Sequence, residues 1–234
     1  GATPVIVDVD LISYTIDFES IPDDCRVVFV TSINGRYPKN AKKQIEILRS
    51  QGRFVIEDSA QALGSWHKEN HIGTMGHLGI FSFGAPKIIT TGQGGCIITN
   101  DEELSKKIHA IKNFGRTVAV GEVYNVMGMN FKFTDIQAVL GIVQMGKLDW
   151  RVNRMKEIYA RYKVNLSEIE EVQFFNQDLE FEKLIWQLLD VVDKDIKPKA
   201  YRLREAWGFK NSLGDLSPLL DFIRSHKRDA SSGL

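Results

Sequence analysis

Three short segments hold the residues of this 234-residue sequence whose types and spacing could do chemistry. In Glu57-Asp58-Ser59-Ala60-Gln61-Ala62-Leu63-Gly64, a carboxylate leaves an apolar, strand-like run. In Phe81-Ser82-Phe83-Gly84-Ala85-Pro86-Lys87-Ile88-Ile89-Thr90-Thr91-Gly92-Gln93-Gly94-Gly95, a lysine lies between an apolar run and a glycine-rich turn. In Gly128-Met129-Asn130-Phe131-Lys132-Phe133-Thr134-Asp135-Ile136-Gln137-Ala138, an asparagine precedes an apolar helix. A carboxylate and an amine at strand exits can serve acid–base or nucleophilic chemistry. Each segment also has a plain structural reading. An acidic residue after a strand is a cap, and a Thr-Thr-Gly-x-Gly-Gly run is a flexible turn. A lysine is a solvated charge, and an asparagine before a helix bonds locally. Taken singly, no segment identifies an enzyme.

The elements that must position these residues follow from periodicity. Strands are expected at 5–9, Val27–Thr31, 54–57, 79–83 and 96–99, and a helix at Ala41–Ser50 with Ile45 and Leu48 on one face and Gly52 as its stop. Val- and Ile-rich strands alternating with helices imply an α/β fold. Its mostly parallel sheet is covered by helices on both faces. Ligands in such sheets bind beyond the carboxyl ends of the strands. Asn100 or Asp101 caps a helix over 102–113 that Gly115 ends, a loop follows around 118–128, and Thr134 opens a helix through Gln144. A long helix spans 150–166, with Trp150 and Arg151 packing between the two long helices. The domain boundary is placed near 147–152. That leaves a large domain over 1–150 and a long helix with a small-domain remnant over 151–234. Within the latter, 194–205 reads as a solvated helix face and 228–234 as a frayed tail.

Composition removes several function classes. Hydrophobic residues make up 43% and charged residues 26%, and Lys+Arg and Asp+Glu both count 30, so no polyanion partner is indicated. No apolar run approaches the ~20 residues that span a bilayer. The N-terminus has no charged segment followed by an apolar stretch, so no secretion signal is read. Two cysteines, Cys25 and Cys96, fit packing roles in a reducing cytoplasm. The opening at Gly1, directly on a strand-like run, suggests that an upstream segment is missing. His67 and His71 have i, i+4 spacing, which would suit a metal on a helix, but Asn70 and Gly73 favour a hairpin and no metal is expected.

In this order, the three segments resemble the DegT/DnrJ/EryC1/StrS aminotransferases. The likeness runs from Gly1 to about Glu168 and is most specific at Lys87 with its trailing Thr-Thr-Gly-Gln-Gly-Gly. It implies a fold-type-I large domain that uses pyridoxal phosphate and acts on nucleotide-linked keto sugars, with 4-keto-6-deoxy sugars as the first guess. It further implies glutamate as amino donor and a homodimer. By the same resemblance the Schiff-base lysine falls on Lys87, and the pyridine-nitrogen carboxylate on Asp58. A glutamine near the ring falls on Gln61, and a phosphate-holding serine on Ser82. An asparagine reaching the neighbouring subunit's cofactor phosphate falls on Asn130. Those residue types suit the cofactor. A carboxylate favours the protonated ring nitrogen, and a desolvated lysine becomes partly neutral and can shuttle a proton. Glycines after the lysine would let backbone approach the cofactor. Two family features have no counterpart here: a phosphate-binding loop before the Gly-Ala-Thr-Pro position, and a Thr-Arg with an aromatic-proline stretch near the C-terminus. A non-catalytic paralogue or fragment acting as an interaction module is the alternative. Related dehydratases carry histidine in place of the lysine, so Lys87 argues against that branch.

Overall fold

A computed structural model describes residues 1–11, 13–117, 123–169 and 174. Residues 118–122 of the expected loop, and the expected elements at 194–205 and 228–234, lie outside the described residues. The chain divides into two compact units. The first holds the described residues through Glu157, and the second those from Ile158.

The first unit is built on a four-stranded sheet of β1 (Val27–Thr31), β2 (Phe54–Asp58), β5 (Leu78–Ser82) and β6 (Gly95–Ile98), in the order β1-β2-β5-β6. The first three strands run parallel and β6 is antiparallel to β5. Between β2 and β5 a two-stranded hairpin, β3 (Trp66–His67) and β4 (Asn70–His71), turns at Lys68 with φ 53°. His67 and His71 therefore lie on a hairpin, as Asn70 and Gly73 suggested. α1 (Ala41–Ser50) packs against β2 and buries Ala41, Ile45 and Leu48. α2 (Glu102–Lys112) is capped by Asp101, whose carboxylate accepts the Leu104 N–H at 3.0 Å. α3 spans Asp135–Met145 and α4 Leu148–Asn165.

The mostly parallel α/β sheet agrees with the periodicity, and among the described residues one face is more fully covered than the other. The alternation in β1, β2 and β5 puts Val28, Val30, Val55, Glu57 and Phe81 on one buried face. The other face is more open, with Val27 50% and Phe29 55% exposed. Segment 5–9 is not a strand. Val9 alone bridges Ile16, and Val5 and Ile6 are exposed. An apolar run becomes a strand only when a neighbour accepts its ladder, and none lies beside it among the described residues. Trp150 also departs from expectation. It is 66% exposed instead of packed, and Arg151 turns its guanidinium to the Ile88 carbonyl at 3.2 Å. A small apolar cluster of Ile88, Val152, Leu63, Leu148 and Met155 joins α4 to the segment after β5. In the second unit, Leu166 is buried and the Tyr159 ring meets Phe174 edge to face.

Candidate functional site

Strand alternation places Asp58 at the carboxyl end of β2, on the more open face. It is half-buried, and its Oδ1 accepts the Ala60 N–H at 3.2 Å. Its backbone carbonyl accepts the Ser32 N–H at 2.9 Å, which ties the exits of β1 and β2 together. Asp58 stands in register with Ile80 of the parallel β5. Ser82, two residues further on, therefore shares the face of Asp58 at the same end of the sheet, about 7 Å further along its strand.

Gln61 belongs to the turn that leaves β2. Its Oε1 accepts the backbone N–H of Asn34 at 2.7 Å. Asn34 sits at φ 53° in the short 3-10 turn Ile33–Gly35 that follows β1. The far end of the β2 exit is held by His71, whose Nε2 accepts the Gly64 N–H at 2.8 Å. Its Nδ1 lies 2.6 Å from the Ile72 carbonyl oxygen, which can only accept, so Nδ1 carries the proton and the ring is neutral. Burial lowers the His71 pKa, while the Ile72 carbonyl and the Glu57 charge oppose that shift.

Beyond Ser82 the chain folds back on Phe83, whose N–H donates to the Gly94 carbonyl at 2.8 Å and whose carbonyl accepts from the Thr91 N–H and the Thr90 hydroxyl, both at 3.0 Å. Within this loop Lys87 occupies a tight turn, its N–H donating to the Gly84 carbonyl at 3.1 Å. Lys87 is half-buried and pairs with no carboxylate among the described residues. Ile88 and Ile89 beside it are buried and anchor the turn. The Ser82 hydroxyl oxygen accepts the Gly84 N–H at 3.3 Å, which leaves its O–H able to donate elsewhere. Gly94 has φ +143°, and a Cβ there would lie 2.6 Å from the Phe133 ring. Packing against Phe133 therefore favours glycine at this position.

Asn130 stands apart. It is exposed, its backbone bridges Asn113 at the end of α2, and its side chain accepts the Lys132 N–H at 3.4 Å. It makes no hydrogen bond with Asp58, Gln61, Ser82 or Lys87 among the described residues. Phe131 and Phe133 are exposed rather than core residues, at 64% and 42%, although Phe133 meets Phe83 edge to face. Ile136, Val139, Leu140, Ile142 and Val143 of α3 are exposed as well. A reciprocal capping box between Thr134 and Gln137 opens α3, and the Gln137 amide also donates to the Gln93 carbonyl at 2.8 Å. Sequence reading missed this tie between α3 and the lysine loop, although Thr-x-x-Gln was a legible start signal. Between α3 and that loop runs a groove of ≈ 500 Å³ lined by Phe83, Ile89, Phe133, Ala138, Ile142 and Met145 among others. Its lining is mostly apolar, whereas the strand exits carry the polar side chains of Asp58, Gln61 and Ser82.

Sequence reading also missed Glu57 and Tyr37. Both are buried and joined by a hydrogen bond from the tyrosine hydroxyl to the carboxylate, and burial, with Glu57 beside it, pushes the Tyr37 hydroxyl pKa well above its ordinary value. No helix among the described residues is long and apolar enough to cross a membrane.

Comparison with known proteins gives a consistent result. The model of the DegT/DnrJ/EryC1/StrS aminotransferase family matches residues 1–205. GDP-perosamine synthase of Escherichia coli O157:H7 is 32% identical over 76% of this chain and 50% of that relative. Spore coat polysaccharide biosynthesis protein SpsC of Bacillus subtilis is 31% identical over 72% of this chain and 47% of that relative. Among solved structures, the aminotransferase TlmJ from Streptoalloteichus hindustanus superposes with TM-score 0.76 at 26% identity, covering 88% of this chain and 57% of its own. The chain thus spans about half the length of the curated relatives it matches.

Proposed function

Because the chain belongs to the DegT/DnrJ/EryC1/StrS aminotransferase family, we propose that it carries the reacting lysine and the ring-facing carboxylate of a pyridoxal-phosphate enzyme. That enzyme would move an amino group from glutamate onto a keto sugar. One observation carries the reading. Asp58 and Ser82 share a sheet face at the carboxyl ends of neighbouring parallel strands, and Lys87 lies in the tight turn just beyond. Ligands of open α/β sheets bind at that edge. The word GDP in the name of the Escherichia coli relative favours a nucleotide-linked sugar, and the 4-keto-6-deoxy class follows from the resemblance alone.

The residues present fit the cofactor. When bound, pyridoxal phosphate supplies an electron-accepting ring that works best with its nitrogen protonated. Asp58 would face that nitrogen as its counter-charge. Its Oδ2 makes no hydrogen bond among the described residues, so it has acceptor capacity to offer. Lys87 would carry the covalent attachment and, once released, would move a proton as acid and base. Gln61 would flank the ring, its carbonyl end already set by Asn34. The Ser82 hydroxyl would donate to the phosphate. Asn130 would serve the phosphate of a second copy, and the exposed apolar residues around it favour a homodimer that buries them. Free, half-buried Cys25 and Cys96 fit a reducing cytoplasm, which completes the reading.

The test is a titration of the protein with pyridoxal phosphate, followed by borohydride reduction and peptide mapping. A visible absorbance band that borohydride abolishes, with the label on Lys87, is expected. A label on another lysine, or no band with the whole protein, overturns the assignment. A panel of keto sugars offered with glutamate then identifies the acceptor.

A further inference from the structure

Glu57 precedes Asp58 on β2 and, by alternation, lies on the opposite face of the sheet, where it is 0% exposed. One carboxylate oxygen accepts from the Tyr37 hydroxyl and from the Gly73 N–H at 3.0 Å. The other accepts from the Met75 N–H at 2.6 Å and the Gly76 N–H at 2.5 Å. A buried carboxylate is tolerated only when donors of this kind replace its water.

The chain is shaped to supply them. Gly73 has φ +97°, and a Cβ there would lie 2.6 Å from the Phe81 ring and 2.8 Å from the Ser59 hydroxyl. A Cβ on Gly79 of β5 would lie 1.8 Å from the Gly73 carbonyl oxygen. Glycines at these points let segment 73–76 lie close across β2 and β5 with its amides turned to Glu57. The segment thereby clamps, from behind, the two strands whose fronts present Asp58 and Ser82. The clamp borders the β2 exit directly, since a Cβ on Gly73 would lie 2.8 Å from the Ser59 hydroxyl, and the Ser59 N–H in turn bonds the Ile80 carbonyl at 2.9 Å.

We infer that Glu57 is a positioning residue. By gathering the amides of segment 73–76 and the Tyr37 hydroxyl, it fixes the end of β2 and so the place of the Asp58 carboxylate. The inference rests on the proposed role of Asp58 facing the cofactor ring. An apolar residue could fill the same volume. It would leave the three amides without an acceptor and the strand end without its tie to segment 73–76.

The test compares Glu57→Gln with Val30→Ala, a buried substitution on β1 that sets the scale for general loosening. Glutamine puts an NH2 group where one oxygen accepted, so at least one backbone amide loses its partner. Two quantities are read: hydrogen exchange amide by amide, and the dissociation constant for pyridoxal phosphate. In Glu57→Gln, exchange is expected to accelerate about tenfold or more at Gly73, Met75 and Gly76, and also at Ser59 and Ala60. Cofactor affinity should fall about tenfold, against little change in Val30→Ala. The inference is overturned if exchange quickens at 73–76 while Ser59 and Ala60 keep their wild-type rates. It is equally overturned if Val30→Ala weakens the cofactor as much. Should the wild-type protein fail to bind pyridoxal phosphate, the cofactor reading falls, and exchange at Ser59 and Ala60 still decides whether Glu57 sets the strand end. If Glu57→Gln does not fold, Tyr37→Phe removes one of the four donors, and the same pattern is expected in smaller measure.

Discussion

The Oε1 of Gln61 accepts the backbone N–H of Asn34 at 2.7 Å, so two loops that leave different strands are fastened by one side chain. Asn34 is largely buried and has a left-handed backbone, a conformation that persists only where the surroundings enforce it. Gln61→Ala removes that acceptor and should cost about 1–2 kcal/mol of stability. Gln61→Glu keeps an acceptor oxygen and should recover most of the loss. Denaturant midpoints of the three proteins check this. Equal midpoints for Gln61→Ala and wild type would show that the tie contributes nothing.

Lys87 sits in a turn whose stability comes from the buried Ile88 and Ile89 and from backbone hydrogen bonds, not from its ammonium group. Lys87→Ala should therefore keep the wild-type denaturant midpoint while losing all borohydride-trapped label. A lowered midpoint together with retained label would place the reacting amine elsewhere.

Asp58→Asn keeps the shape at the end of β2 and the hydrogen bond to Ala60 while removing the charge. Cofactor binding should persist in large part, and amino transfer should slow by on the order of 10²-fold or more. Single-turnover rates with glutamate read this directly, and a variant as fast as wild type would remove Asp58 from the proposed role.

How far these roles were legible depends on the range of the interactions behind them. β1 and α1 match their sequence expectations at Val27–Thr31 and Ala41–Ser50, because local periodicity and the Gly52 stop suffice. Asp58 falls at a strand end for the same reason. Segment 5–9 shares the apolar pattern of β1 but, beyond the single Val9–Ile16 bridge, has no ladder partner among the described residues, a fact no local window contains. Trp150 shows a related failure. Helical spacing predicts a shared face but not what covers it, and this side chain is exposed. Glu57 reads only as the last residue of the strand expected at 54–57. Its burial becomes sensible only when segment 73–76 brings three amides to it from 16 to 19 residues away. The glycines at 73, 76 and 79 were the one available hint, since their close contacts let that segment approach.

His71 makes the β2 exit sensitive to pH. Its neutral ring accepts from Gly64 and donates to Ile72; the protonated ring has two donors and cannot accept. Burial lowers its pKa in the folded state below the value of about 6.5 in the unfolded chain. His77 is lowered in the same sense, first by burial and then by Arg49. Between the folded and unfolded values the unfolded chain binds more protons, so stability is present above about pH 6.5 and lost as pH falls through the folded pKa. Denaturant midpoints measured from pH 7.5 down to pH 5 should decline. His71→Asn should flatten part of that slope, and an unchanged slope would mean that the ring does not titrate in this range.

The proposed homodimer makes the most exacting prediction. Asn130 is exposed and makes no hydrogen bond with the other proposed site residues among the described residues. Around it Met129 is 60% and Phe131 64% exposed, and α3 presents Ile136 and Ile142 at 77% and 74%. Apolar surface of this extent is unfavourable on a free monomer, which is the ground for proposing a contact face here. If a two-fold contact covers it, each Asn130 can serve the site of the other copy, and every site needs one chain's Lys87 and its neighbour's Asn130. Lys87→Ala and Asn130→Ala proteins should then each have little activity alone. When they are unfolded together in equal amounts and refolded, half of the dimers are hybrids, and each hybrid holds one site with both residues intact. Activity should return to about a quarter of wild type on this symmetry argument. Mixed chains that stay as inactive as their parents, or a fully active monomer in sedimentation, would separate Asn130 from the partner's site.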